Sequence, residues 1–98
     1  MTIQQIKNGN ALTIVLEGRL DTMTAPELEA ALKTALEGVE GLTFDFEKLD
    51  YISSAGLRVL LAAQKTMNQQ GSMKVKNANE IIMEIFEVTG FADILTIE

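Results

Sequence analysis

From residue 11 onward the spacing of apolar side chains switches repeatedly between two residues and three to four, the repeats of a strand and of a helix. "ALTIVLEG" sets Leu12, Ile14 and Leu16 against Thr13 and Glu17, and "LTFDFE" sets Leu42, Phe44 and Phe46 against Thr43, Asp45 and Glu47. Between them Leu28, Ala31, Leu32, Ala35 and Leu36 form one helical stripe that runs until Gly38. A second stripe, Val59, Leu60, Ala63 and Met67 within 55–69, lies opposite Arg58, Lys65 and Gln69 and stops before Gly71. "SMKVK" returns to strand spacing, Ile81, Ile82, Ile85 and Phe86 mark a third helix closing at "TG", and "DILTIE" reads as a last short strand. Strands and helices in strict alternation imply right-handed crossovers around a mixed sheet.

The start adds a hairpin: "NGN" is a turn signal between "TIQQIK" and the strand at residue 12. Thr24, Pro26 and Glu27 read as a capping box with proline in the first turn, and Asn77 with Glu80 as the start of the third helix. Strands buried on both faces would be apolar throughout, whereas these alternate, so the helices are expected mainly on one face. The expected fold is a single α/β domain over residues 1–98, with a mixed sheet of four to five strands that opens with a hairpin and continues as βα repeats. A chain of 98 residues leaves no room for a second domain.

Composition removes whole classes of chemistry. There is no cysteine, hence no disulfide, thiolate nucleophile or thiolate metal site, and no histidine, the commonest general base. Fourteen acidic and eight basic residues, the latter scattered, give a formal charge of -6, which repels nucleic acid and anionic membrane. "MTIQQIKNGN" lacks the basic and apolar regions of a signal peptide, and no stretch reaches the ~18 apolar residues of a membrane span. A cytoplasmic protein without membrane insertion or direct nucleic-acid binding is expected, and no cofactor is called for.

The stretch "YISSAGLRVLL" puts Ser53 and Ser54 at the step from strand to helix. A helix start leaves about four N–H groups unpaired, and a serine there can act simply as a cap. Gly56 can let the first turn sit close to a strand. A catalytic serine needs a base, and neither histidine nor an SxxK spacing exists; "SSAGLR" also lacks the spacing of a nucleotide-binding loop. A serine that receives phosphate from another protein needs only exposure and tolerance of charge, and a helix start supplies both.

Over nearly its full length the chain resembles the STAS domain family, most closely the bacterial anti-sigma factor antagonists. The resemblance is carried by the opening strand pair, "EGRLDTMTAPEL", "LTFDFEKLDYISSAGLRVLL" and "VTGFADILTI". It implies a non-enzymatic domain that binds an anti-sigma factor, a serine kinase in the best-known branch, and so frees a sigma factor. The kinase phosphorylates one serine and a separate phosphatase reverses it. Matched to the family pattern, the acceptor is Ser54, with Ser53, which stands where an aspartate is usual, as second choice. Asp21 matches a recurrent aspartate expected near the Ser54 loop, and Asp45 a recurrent polar position on the next strand. The implied contact set is Asp21, Thr24, Asp45, Ser53, Ser54, Gly56 and Arg58. The chain also ends without the carboxy-terminal helix of several members, which points to an open strip of core or sheet edge and to a partner or weak homodimer. Two other classes stay open: a constitutive STAS subunit of a lipid-transport or signalling assembly, in which the serine is only a cap, and binding of a nucleotide or small anion at the same loop.

Overall fold

The computed structural model describes residues 1–98. Strand β1 (Thr2–Asn8) pairs antiparallel with β2 (Ala11–Leu20), and Gly9 in the turn between them takes a φ of +63° that a residue with a Cβ rarely adopts. Helix α1 (Ala25–Ala35) crosses to β3 (Gly41–Ile52), which lies parallel to β2; α2 (Ser54–Gln70) crosses to β4 (Ser72–Lys76), parallel to β3. The sheet order is β1-β2-β3-β4. Helix α3 (Glu80–Thr89) and a 3-10 turn (Phe91–Asp93) complete the chain. This is the single mixed-sheet α/β domain that the alternating periods predict, and no helix is long and apolar enough to cross a membrane.

Burial follows the alternation. Leu12, Ile14, Leu16, Leu42, Phe44, Met73 and Val75 point to one face and are buried under Leu28, Leu60, Met67, Ile82 and Phe86 from the helices. Each such side chain contributes about 1.5–3 kcal/mol on full burial. Thr13, Val15, Thr43 and Asp45 are on the other, partly open face. Strand β3 spends twelve residues against the ten of β2, because its register slips between Val15 and Glu17 and again between Gly18 and Arg19. These bulges let Phe46 and Leu49 both turn inward, three residues apart, while Glu47 and Lys48 face out.

Four local expectations are corrected by competing hydrogen bonds or by the chain's course. Thr24 occupies the N-cap position of α1 but makes no capping bond, because its hydroxyl accepts from Asp21 N–H (2.9 Å) and donates to the Arg19 carbonyl (2.8 Å). Helix α1 ends at Ala35, short of Gly38. The cap of α3 is Asn79, whose side chain accepts from Ile82 N–H at 2.8 Å; Asn77 is instead left-handed, φ +63°, and donates to Asp45. "DILTIE" forms only a bridge, in which Val75 N–H donates to Thr96 O and Glu98 N–H to Val75 O, so it adds no fifth strand and the sheet has four, within the expected four to five.

Gly56 sets how closely α2 approaches the sheet. A Cβ there would lie 2.7 Å from Leu20 Cγ and 2.8 Å from Ile52 Cγ1, and both side chains are fully buried. Gly56→Ala is therefore expected to destabilise the domain by about 1–3 kcal/mol, since the core must yield around an added methyl group. Urea denaturation followed by circular dichroism measures this; an unchanged midpoint would mean that the helix start can retreat freely.

Candidate functional site

Parallel pairing brings the loops after β2 and β3 together. Leu20 and Ile52 are register partners at the carboxyl ends of β2 and β3, and Ser53 N–H extends the ladder by one bond to the Leu20 carbonyl at 2.9 Å. The next residues, Asp21 on one chain segment and Ser54 on the other, therefore leave the sheet side by side. This is the edge at which strands of an α/β sheet hand over to helices, and where such folds commonly place a binding site.

Ser53 and Ser54 differ. Ser53 is the N-cap of α2, with extended backbone (φ −100°, ψ 177°), and its carbonyl accepts the first helical bond from Leu57 N–H at 2.9 Å. Its hydroxyl makes no capping bond and is buried without a partner. Ser54 is the first helical residue and is exposed. No acidic side chain lies in this first turn, so the positive end of a helix of 17 residues is not neutralised locally. Arg58, also exposed, follows Ser54 by four positions on the same helix face. It shares a shallow cleft of about 190 Å³ with Thr22, Pro26 and Glu29 from the α1 side.

The β2–α1 loop is a braced structure. Asp21 Oδ1 accepts from Met23 N–H (3.0 Å) and Thr24 N–H (3.2 Å), and the Thr24 hydroxyl stands 3.2 Å from the same oxygen. Arg19 approaches the other carboxylate oxygen at 3.7 Å and stacks over the Tyr51 ring, 4.5 Å from its centroid. Desolvation alone would raise the Asp21 pKa, but the donors from Met23 and Thr24 and the Arg19 charge together hold it below the ordinary value. Met23, in this braced loop, is 86% exposed. Met23 belongs to no apolar period; in the chain it stands as a lone large apolar residue among polar ones in "DTMT".

Asp45 stands apart from this surface, and Gly56 lies under it. Asp45 lies seven residues before Ile52 on β3, where its Oδ1 accepts from Glu47 N–H (3.1 Å) and from the Asn77 side chain (3.0 Å). Burial pushes its pKa up, and the Asn77 and Glu47 donors with the charges of Lys76 and Lys48 more than reverse this. It thus fastens the first β3 bulge to the β4–α3 turn. Gly56 is buried beneath the loop. Among His, Cys, Asp and Glu, no cluster suited to a metal ion is formed.

A mixed sheet covered by helices mainly on one face, with an exposed serine at the start of its central crossover helix, defines a small single-domain α/β module. Residues 3–96 match the family model described as "Mlab, STAS domain". The chain belongs to the STAS domain family. Similar relatives include BtrV of Bordetella bronchiseptica, 34% identical over 99% of this chain and 85% of that protein. The anti-sigma-B factor antagonist of Bacillus subtilis is 30% identical over 93% and 84%. The anti-sigma factor antagonist SpoIIAA, solved unphosphorylated, has the same fold, with a TM-score of 0.77 at 19% identity over 99% of this chain and 87% of that one. SpoIIAA has also been solved in its phosphorylated form.

Two outcomes test this geometry. Ser53→Ala should change stability by less than about 0.5 kcal/mol, against the ~1 kcal/mol lost when a bonded cap is removed, because its hydroxyl holds nothing. A larger loss in urea denaturation would contradict the unpartnered hydroxyl. For Asp21 the folded-state pKa lies below 3.8, so its contribution is complete above that value and is lost as pH falls through the lower folded value. Wild type should exceed Asp21→Asn in stability at neutral pH, and the gap should close on acidification below 3.8.

Proposed function

We propose that this protein is an anti-sigma factor antagonist, a cytoplasmic and non-enzymatic STAS domain that binds an anti-sigma factor and is switched off by phosphate on Ser54. The observation that carries the reading is the exposed Ser54 at the unneutralised start of α2, beside the braced Asp21 loop, in a chain whose relatives are named anti-sigma factor antagonists. The partner is a serine kinase that meets Asp21, Ser54, Arg58 and the exposed Met23. A flexible thioether in the open is suited to filling a small apolar recess on that partner. Thr24 and Gly56 support this surface from beneath rather than touch the partner. A phosphatase restores the unmodified serine.

The physical logic is differential. Phosphate adds about -1.5 to -2 charges where the helix dipole and unpaired N–H groups tolerate them, so the fold survives. The same charges in the middle of a closely packed contact remove affinity for a partner that presents carboxylates or apolar surface there. Ser54, rather than Ser53, is the acceptor because its side chain is exposed, whereas the Ser53 hydroxyl is buried. A constitutive STAS subunit is the second reading, favoured by the family-model description "Mlab, STAS domain".

Incubation with the cognate anti-sigma kinase and ATP should place one phosphate on Ser54, none on a Ser54→Ala variant, and Ser54→Asp should bind that kinase at least tenfold more weakly than wild type. Mass spectrometry and calorimetry read both. Unmodified Ser54 together with equal binding of Ser54→Asp would favour the constitutive subunit.

A further inference from the structure

Helix α3 is apolar on two sides. Ile82 and Phe86 are fully buried against the sheet, yet Ile81 is 58% and Val88 77% exposed, and with half-buried Ile85 they follow at spacings of four and three residues. That spacing forms a second stripe along the outer flank of the helix, which no part of the chain covers. Glu80, Glu84 and Glu87 repeat the same spacing one residue earlier and so line one border of the stripe. All three are exposed and none has a basic partner, since the ion pairs of the protein are Arg19–Asp21 and Lys74–Glu98.

Charge is distributed unevenly along the chain. All eight basic residues lie at or before Lys76, whereas residues 77–98 carry five of the fourteen acidic ones. Nearly the whole net charge of -6 therefore belongs to α3 and the segment after it. An apolar stripe bordered by unpaired carboxylates of one sign is complementary to one kind of surface, apolar and rimmed by lysine or arginine. A second copy of this chain would bring the same glutamates into contact and is disfavoured by their repulsion. An anionic bilayer meets the same repulsion.

We propose that the outer flank of α3 is a second docking surface, independent of the Ser54 site, and that its occupant is a basic amphipathic helical segment of another protein. The pairing follows the helix-on-helix mode, with Ile81, Ile85 and Val88 as the apolar anchors and Glu80, Glu84 and Glu87 steering the approach. Because α3 begins where Asn79 donates to the Leu49 carbonyl at 3.1 Å, its first turn stands beside the end of β3 that leads into the serine loop. A partner on α3 and one on Ser54 would then be neighbours on the same molecule.

The probe is a synthetic 18-residue Leu/Lys amphipathic peptide, titrated into the unphosphorylated full chain and followed by amide chemical shifts, with a Leu/Glu peptide of the same pattern as comparison. The Leu/Lys peptide should shift α3 resonances, and Ile81→Ser/Val88→Ser should weaken it at least tenfold while melting cooperatively. Glu80→Gln/Glu84→Gln/Glu87→Gln should weaken it several-fold and flatten its salt dependence, and the Leu/Glu peptide should not bind. Shifts centred on the open sheet face, or equal binding by both multiple variants, would overturn the proposal. So would a dimer in sedimentation that the Ile81→Ser/Val88→Ser change abolishes, or co-sedimentation of the wild type with phosphatidylglycerol vesicles. Phosphorylation of Ser54 plays no part in any of these measurements, so failure here leaves the switch untouched.

Discussion

The parallel register of Leu20 with Ile52, covered by the bare backbone of Gly56, is the constraint on which the rest of the molecule depends. It ends two adjacent strands at the same height, so that the chain turns out of both at one place. The bond from Ser53 N–H to the Leu20 carbonyl carries that alignment one residue past the paired strands. Gly56 then lets α2 begin in contact with the buried side chains of both strand ends. Because the helix cannot slide without breaking these contacts, the exposure of Ser54 and the burial of its neighbour follow from core packing rather than from the loop.

The unneutralised helix start acquires its meaning from this rigidity. An N-terminus that frayed would absorb an added charge by local unfolding, and the modification would be read as disorder. Held against Leu20 and Ile52, the first turn can take on charge in place, so the phosphate proposed for Ser54 would alter the surface and leave the core alone. The braced aspartate loop has the same character. Asp21 consumes its hydrogen-bonding capacity on Met23 and Thr24, which fixes the loop and leaves Met23 without apolar cover. A rigid loop that displays one large apolar side chain loses little conformational entropy on binding, and this is how a small domain gains affinity from few contacts.

Separate ends of the chain carry separate electrostatics. The serine loop is flanked by Arg19 and Arg58, while α3 and the following segment hold no basic residue at all. Asp45, which the family pattern groups with the contact residues, belongs to neither surface. Its carboxylate is occupied in joining a strand bulge to the turn that precedes α3, and a residue already bonded to Glu47 N–H and Asn77 has a structural reason to be acidic or amide-like.

Fold class and element order were legible in the chain itself, because periods of two and of about 3.6 residues record which side chains must leave water, and that demand is local to each segment. Leu12, Ile14, Leu16, Phe44, Phe46, Ile82 and Phe86 could be assigned to the core from spacing alone, and all are buried. Helix caps were less legible. Thr24, Asn77 and Ser53 have the right chemistry at the right offsets, but a side-chain oxygen goes to the best donor in three dimensions; Asp21 claims Thr24 and Asp45 claims Asn77, while the buried Ser53 hydroxyl finds no partner. Nor could spacing reveal that Met23 stands uncovered, that β3 bulges twice, or that the outer flank of α3 has nothing over it. Those facts depend on which elements meet across the sheet. The sequence alone determined which residues seek the core and where a pair of serines opens a helix, and tertiary structure decided which polar groups were left exposed or unpartnered, because hydrogen bonds and exposure belong to neighbours distant in the chain.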